Sequence, residues 1–123
     1  MSKKRLLMVD DDPDIGDFVR DVATGMGFDA VSETTGDGFL ARLDKSDPHI
    51  IILDLTMPKI DGIELLKELS NRKSEARIFI MSGYDRRMCD MALRFGEAGK
   101  LNMGEVIPKP VRAAKLREIL ASA

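Results

Sequence analysis

Four apolar residues, Ile50 to Leu53, run without a break into Asp54, and two turn-makers, Pro58 and Gly62, follow. An apolar run that short reads as a strand buried on both faces. Such a strand needs cover on both sides, which points the chain toward an α/β architecture. The carboxylate of Asp54 falls where the strand stops and a loop begins. In an open α/β sheet that edge is where ligands bind. Asp54 is therefore the candidate reactive group.

The rest of the chain repeats the same grammar. Leu6 to Val9 is a second short apolar run, and it also ends in acids, Asp10, Asp11 and Asp12. Pro13 suits the first turn of a helix, with Asp12 as its N-cap. Ile15, Phe18, Val19, Val22 and Met26 recur at three- and four-residue steps and predict one apolar helical face, ended by Gly25 and Gly27. Phe28 to Ser32 reads as a weaker strand near an edge. Thr35 opens a short helix carrying Phe39, Leu40 and Leu43. Ser46, Asp47 and Pro48 turn the chain into the central strand. After Gly62, residues Ile63, Leu65, Leu66 and Leu69 predict another amphipathic helix. Arg77 to Met81 is a fourth strand, stopping at Ser82 and Gly83. Met88, Met91, Ala92 and Phe95 mark a fourth helix, with the methionines read as core. Gly96 to Gly104 has no clean period. Val106 and Ile107 form a minimal fifth strand before Pro108, Lys109 and Pro110, and the last helix turns Leu116, Ile119 and Leu120 inward. Strands alternating with helices predict a parallel sheet with right-handed crossovers.

Composition narrows the function. A chain of 123 residues, 44% apolar and 33% charged, is read as one domain with a real core, residues 1–123. A net charge of -2 and 5% aromatic residues give nucleic acid neither bulk attraction nor stacking surface. No apolar run approaches the roughly 20 residues of a membrane helix, and the basic start is too short for a signal peptide. The lone Cys89 fits a reducing cytoplasm. It and His49 are read as structural.

Several strands end in polar groups suited to one reaction: Asp10 and Asp11 after the first, Asp54 after the third, Ser82 after the fourth, Lys109 after the fifth. In a parallel sheet these ends share one edge. Two carboxylates about 4 Å apart repel by about 4 kcal/mol at an effective dielectric near 20. A bound cation, a shared proton or Lys109 reaching in would relieve that. An all-oxygen site of this kind suits Mg²⁺. A hard divalent ion beside a carboxylate that attacks phosphorus offsets charge on both partners. Lys109 and the Ser82 hydroxyl can serve further phosphoryl oxygens. Phosphoryl transfer is mostly positioning and charge stabilisation, and these are its parts.

The constellation resembles the receiver domain of two-component response regulators. It is carried by Asp10-Asp11 after LLMV, Asp54 in LDLTMPKIDG, Ser82-Gly83 after IFIM, and Lys109-Pro110. Each alone is unspecific: Ser82 reads as a helix cap, Lys109 as a surface lysine. All four, in order and each at a strand end, are highly specific. The resemblance implies a flavodoxin-like, doubly wound five-stranded parallel sheet, order 2-1-3-4-5, with helices on both faces. It implies that Asp54 takes a phosphoryl group from a histidine kinase or histidine phosphotransfer protein and that the domain then changes how it binds an output protein. It implies Mg²⁺ held by Asp11, Asp54 and the backbone carbonyl of Thr56, with Asp10 acting largely through water. Ser82 and Lys109 would bind the phosphoryl group, the Lys109-Pro110 bond would be cis, and Tyr84 would stand over the pocket.

Two features depart from the family. The aromatic residue often found three positions before the lysine is Val106 here. Ser82 and Lys109 are 27 positions apart, longer than the resemblance implies by about one helical turn, with the surplus expected in Gly96 to Gly104. The leading reading is a stand-alone phosphoacceptor module in the cytoplasm, since no effector domain follows Ala123. A phosphorylation-independent, receiver-like binding module is the alternative, motivated by Val106. A multiple-turnover phosphatase fits poorly, because it would leave Asp54 without a role.

Overall fold

The computed structural model describes residues 3–55, 61–83 and 86–123. Strand and helix alternate through β1 (Arg5–Val9), α1 (Pro13–Gly25), β2 (Asp29–Glu33), α2 (Gly36–Lys45), β3 (Ile50–Asp54), α3 (Gly62–Asn71), β4 (Arg77–Ser82), α4 (Arg86–Ala98), β5 (Asn102–Pro108) and α5 (Ala113–Ala121). Every strand pair is parallel and the order is β2-β1-β3-β4-β5, as expected. All five residues of β3 are buried. Pro58, read as a turn-maker, lies outside the described residues.

The pleat divides the core in two. Leu7, Val9, Ile51, Leu53, Ile78 and Ile80 face α2, α3 and α4. Leu6, Met8, Ile50, Ile52, Phe79 and Met81 face α1 and α5. Alternate residues of one strand thus feed opposite cores, which is why β1, β3 and β4 are apolar throughout. Asp12 caps α1 through its side chain and Pro13 occupies the first turn. Thr35 caps α2 in the same way.

Two expectations are corrected. On α4 the inward residues are Cys89, Ala92 and Gly96, whereas Met88, Met91 and Phe95 are 43%, 64% and 38% exposed. Helix and sheet approach too closely for large side chains: a Cβ on Gly96 would stand 2.4 Å from Met103 Sδ. On α1 the expected face is largely as predicted: Val19 is buried, and Ile15, Val22 and Met26 pack against the core, while Phe18 is exposed. On α4, ranking by bulk alone picked the flanking stripe. The second correction concerns β5, which spans seven residues rather than two. Its exposed Asn102 and Glu105 interrupt the apolar run as an edge strand permits. Between the pairs Ile78–Met103 and Ile80–Val106, one residue of β4 faces two of β5, a bulge that absorbs one residue of the long segment.

Gly104 sits in that bulge. A Cβ there would lie 2.5 Å from the buried Phe79 ring. Gly104→Ala should therefore lower unfolding stability by about 1–3 kcal/mol, read as a shifted urea midpoint at constant slope.

Candidate phosphoacceptor site

The parallel register brings the strand ends level. Val9 pairs with Leu53, Asp54 with Met81, and Ser82 with Pro108. The next residues of β1 and β5, Asp10 and Lys109, extend the ladder through Asp10 N–H to Glu33 O at 3.1 Å and Lys109 N–H to Ser82 O at 3.1 Å. Asp10, Asp11, Asp54, Ser82 and Lys109 therefore meet at one edge, as the sequence predicts. Thr56 and Tyr84 lie outside the described residues.

The edge is an acid pocket with a cation seated in it. Asp10 and Asp54 are buried and Asp11 is half-buried. One carboxylate oxygen from each lies within 4.8 Å of the others. Lys109 Nζ donates to Asp54 Oδ2 and lies 3.4 Å from Asp10 Oδ2. Asp10 Oδ1 accepts from the Asp12 N–H at 2.9 Å, which anchors that carboxylate to the start of α1. The sequence named Lys109 for the phosphoryl group. Here its ammonium reaches in against two of the acids, the other arrangement that the sequence allowed. The Lys109-Pro110 bond is cis.

Ser82 Oγ is buried and, among the described residues, has no hydrogen-bond partner. An unsatisfied buried hydroxyl costs free energy, and a phosphoryl oxygen or an ion's water would satisfy it. The three carboxylates whose oxygens converge at the same sheet edge form an all-oxygen donor set, which fits a hard divalent cation. Val106 takes no part in the acid pocket. It lines a 590 Å³ cavity with Ser82, Gly83, Cys89, Asp90 and Pro108. Sequence reasoning missed the Asp12 tether and the orphaned state of Ser82, neither of which leaves a signal in residue order.

Electrostatics sharpen the picture. Burial raises the Asp10 carboxyl from 3.8 to about 6; the Asp12 N–H opposes this, Asp54 adds to it and Lys109 offsets it. Burial works against the charge on Lys109, but its bond to Asp54 and the charges of both acids hold its pKa above the ordinary value. A carboxyl whose folded pKa is raised costs the ionised native state. That cost is absent below about pH 3.8 and complete above about pH 6. In metal-free buffer near pH 7.5, Asp10→Asn should be more stable than wild type by on the order of 1–3 kcal/mol. The gap should close as pH falls below 4, since the wild-type carboxyl is then neutral as well. Denaturant melts of both proteins across that range read it.

A family model described as response regulator receiver domain matches residues 6–121. Chemotaxis protein CheY of Bacillus subtilis (strain 168) is 29% identical over 117 residues, 94% of this chain and 93% of that protein. Chemotaxis protein CheY of Thermotoga maritima is 28% identical over 118 residues, 95% and 94% respectively. The alkaline phosphatase synthesis transcriptional regulatory protein PhoP of B. subtilis is 30% identical over 82 residues, and the chain spans only 34% of its length. Among solved structures, a response regulator from Colwellia psychrerythraea superposes with a TM-score of 0.83 at 30% identity, covering 98% of this chain and 96% of that one. A receiver domain protein from Methanospirillum hungatei JF-1 shares the fold at a TM-score of 0.84 and 24% identity, covering 98% and 93%.

Proposed function

We propose, from the premise that this chain belongs to the response regulator receiver domain family, that Asp54 is its phosphoryl acceptor. A receiver domain is a phosphoacceptor signalling module of two-component systems, and the phosphorylation-independent alternative is not favoured. The observation that carries the assignment of Asp54 is its position. It is a buried carboxylate at the end of the central strand, in hydrogen-bond contact with Lys109, within reach of two further acids and in register beside the strand that ends at Ser82.

In this reading an Asp54 oxygen attacks the phosphorus of a donor, forming an acyl phosphate as the bond from phosphorus to the leaving group breaks. Lys109 holds the other Asp54 oxygen at rest and turns toward a phosphoryl oxygen as charge moves outward. The Ser82 hydroxyl donates to a second phosphoryl oxygen and so loses its orphan state. Asp10, tethered by the Asp12 N–H, and Asp11 complete the acid pocket with Asp54, which would hold Mg²⁺. The proposed Thr56 carbonyl would add a ligand. When bound, Mg²⁺ neutralises charge on the nucleophile and the phosphoryl oxygens. The donor would be a histidine kinase or histidine phosphotransfer protein. The product is the phosphorylated chain itself, read by an output protein, so the chain is no multiple-turnover enzyme on external substrates. Among the described residues no helix is long and apolar enough to cross a membrane, in keeping with a place in the cytoplasm.

Incubation with acetyl phosphate and Mg²⁺ should add the mass of one phosphoryl group, and chelating the metal should suppress the gain. A wild-type protein whose mass does not change would sink the reading.

A further inference from the structure

In a parallel sheet each crossover helix begins beside the edge where the strands stop. The first turns of α1, α2, α3 and α4 therefore border the phosphoacceptor edge. α1, α2 and α3 carry an acid in that turn, Asp14, Asp37 and Glu64, which suits the positive end of a helix. α4 carries none and opens on two cations, Arg86 and Arg87. A cation there opposes the helix dipole. An anion arriving at the same end relieves that opposition.

Arg86 is the one of the two that meets the site. It lines the 590 Å³ cavity that also reaches Ser82 and Gly83, whereas Arg87 does not. Ser82, on the same wall, is 6% exposed, and among the described residues its Oγ has no hydrogen-bond partner. Gly83 has no side chain to close the space between hydroxyl and helix. Arg86 is exposed and, among the described residues, is in no ion pair. Asp90 lines the cavity too, four residues on, yet does not pair with it. A cation N-terminal to its acid is the poorer order on a helix. One cavity thus holds an orphaned donor and an uncommitted guanidinium.

We propose that Arg86 is a third phosphoryl ligand, beside Ser82 and Lys109. The proposal rests on Asp54 as the acceptor. As the phosphorus bonds to Asp54 and leaves its donor, the edge gains negative charge, since an acyl phosphate carries more than the carboxylate it replaces. The guanidinium then crosses the cavity over Gly83 and pairs with phosphoryl oxygens, which its planar fork can hold two at a time. Arg86 makes and breaks no covalent bond. It supplies charge to a group absent from the resting state, so it favours the transition state and the product over the free domain. Asp90 offers a single carboxylate and is outcompeted by the doubly charged phosphoryl group.

The test is a time course with acetyl phosphate and Mg²⁺ at low salt, read by intact mass. The Arg86 Nε–H signal is followed by NMR and assigned by its loss in Arg86→Gln. That signal should shift when the wild type is phosphorylated. Arg86→Gln should take up the phosphoryl group about tenfold more slowly, a smaller effect than losing a buried donor because the guanidinium stands in solvent. Arg86→Lys should recover part of the rate, and the gap to wild type should narrow in about 1 M salt. Arg87→Gln, on the same turn but off the cavity, should match wild type. Urea midpoints of all three variants should be no lower than that of wild type, so that a slow Arg86→Gln reports charge at the site and not a lost fold. An Arg86→Gln as fast as wild type, or an Arg86 signal unmoved in phosphorylated protein, would overturn the proposal and leave Asp54 as the acceptor. Equal slowing in Arg87→Gln would overturn it as well, reducing the effect to the general charge of α4. A wild type that takes up no phosphoryl group would sink the Asp54 reading and this proposal with it.

Discussion

Lys109→Met should lower metal-free stability by on the order of 3 kcal/mol, although it removes a side chain that is 18% exposed. The loss comes from what is left behind. Asp10 and Asp54 are 0% and 1% exposed, and the ammonium is bonded to the second and 3.4 Å from the first. Methionine keeps most of the aliphatic stem, so packing changes little. Without the ammonium, Asp10, already raised to about 6 by burial, moves further up and takes a proton at neutral pH. Protonation caps the loss. Adding Asp10→Asn to Lys109→Met should therefore recover much of it, and the double-mutant cycle should show coupling of about 1 kcal/mol or more. Mg²⁺ should restore stability more strongly in Lys109→Met than in wild type, because the cation meets less competition in the pocket. Equal metal-free stability of wild type and Lys109→Met would remove Lys109 as the counter-charge of the pocket.

Ser82→Ala should separate stability from chemistry. Because Ser82 Oγ is buried without a partner among the described residues, its removal should leave stability unchanged or raise it by about 1 kcal/mol. Phosphoryl uptake from acetyl phosphate should slow by about 100-fold, the scale of losing one donor to developing negative charge. A hydroxyl serving only as a helix cap would behave in the opposite way, costing about 1 kcal/mol of stability on removal and leaving the rate alone. The two measurements on one variant therefore discriminate between a phosphoryl ligand and a cap.

The strand ends were legible because the sheet writes them in two letters: apolar runs that stop, and the polar residue that stops them. Ile50 to Asp54 and Leu6 to Asp10 show both letters, so the convergence of Asp10, Asp54, Ser82 and Lys109 on one edge follows from a parallel sheet, while the strand order came from the family resemblance. The face of α4, and the place of Phe18 on α1, were less legible. Periodicity reports that a helix has a stripe, but Gly16 and Gly96 mark the contact by being small, and hydrophobic ranking passes over glycine. β5 was read short because Asn102 and Glu105 point outward on an edge strand, where the apolar signal fades. The state of the pocket was illegible for another reason. That Lys109 rests between Asp10 and Asp54, and that Ser82 Oγ stands unpartnered, depends on distances of a few tenths of an ångström, which residue order does not encode.

Val106 stands where the resemblance implies an aromatic ring. In the fold it borders a 590 Å³ cavity that also reaches Ser82 and the start of α4.

The most direct measurement is the intact mass of wild type and Asp54→Asn after incubation with acetyl phosphate and Mg²⁺. A gain of one phosphoryl group in wild type and none in Asp54→Asn is the expected result. An undiminished gain in Asp54→Asn would contradict the account, since the phosphoryl group would then reside on some other residue.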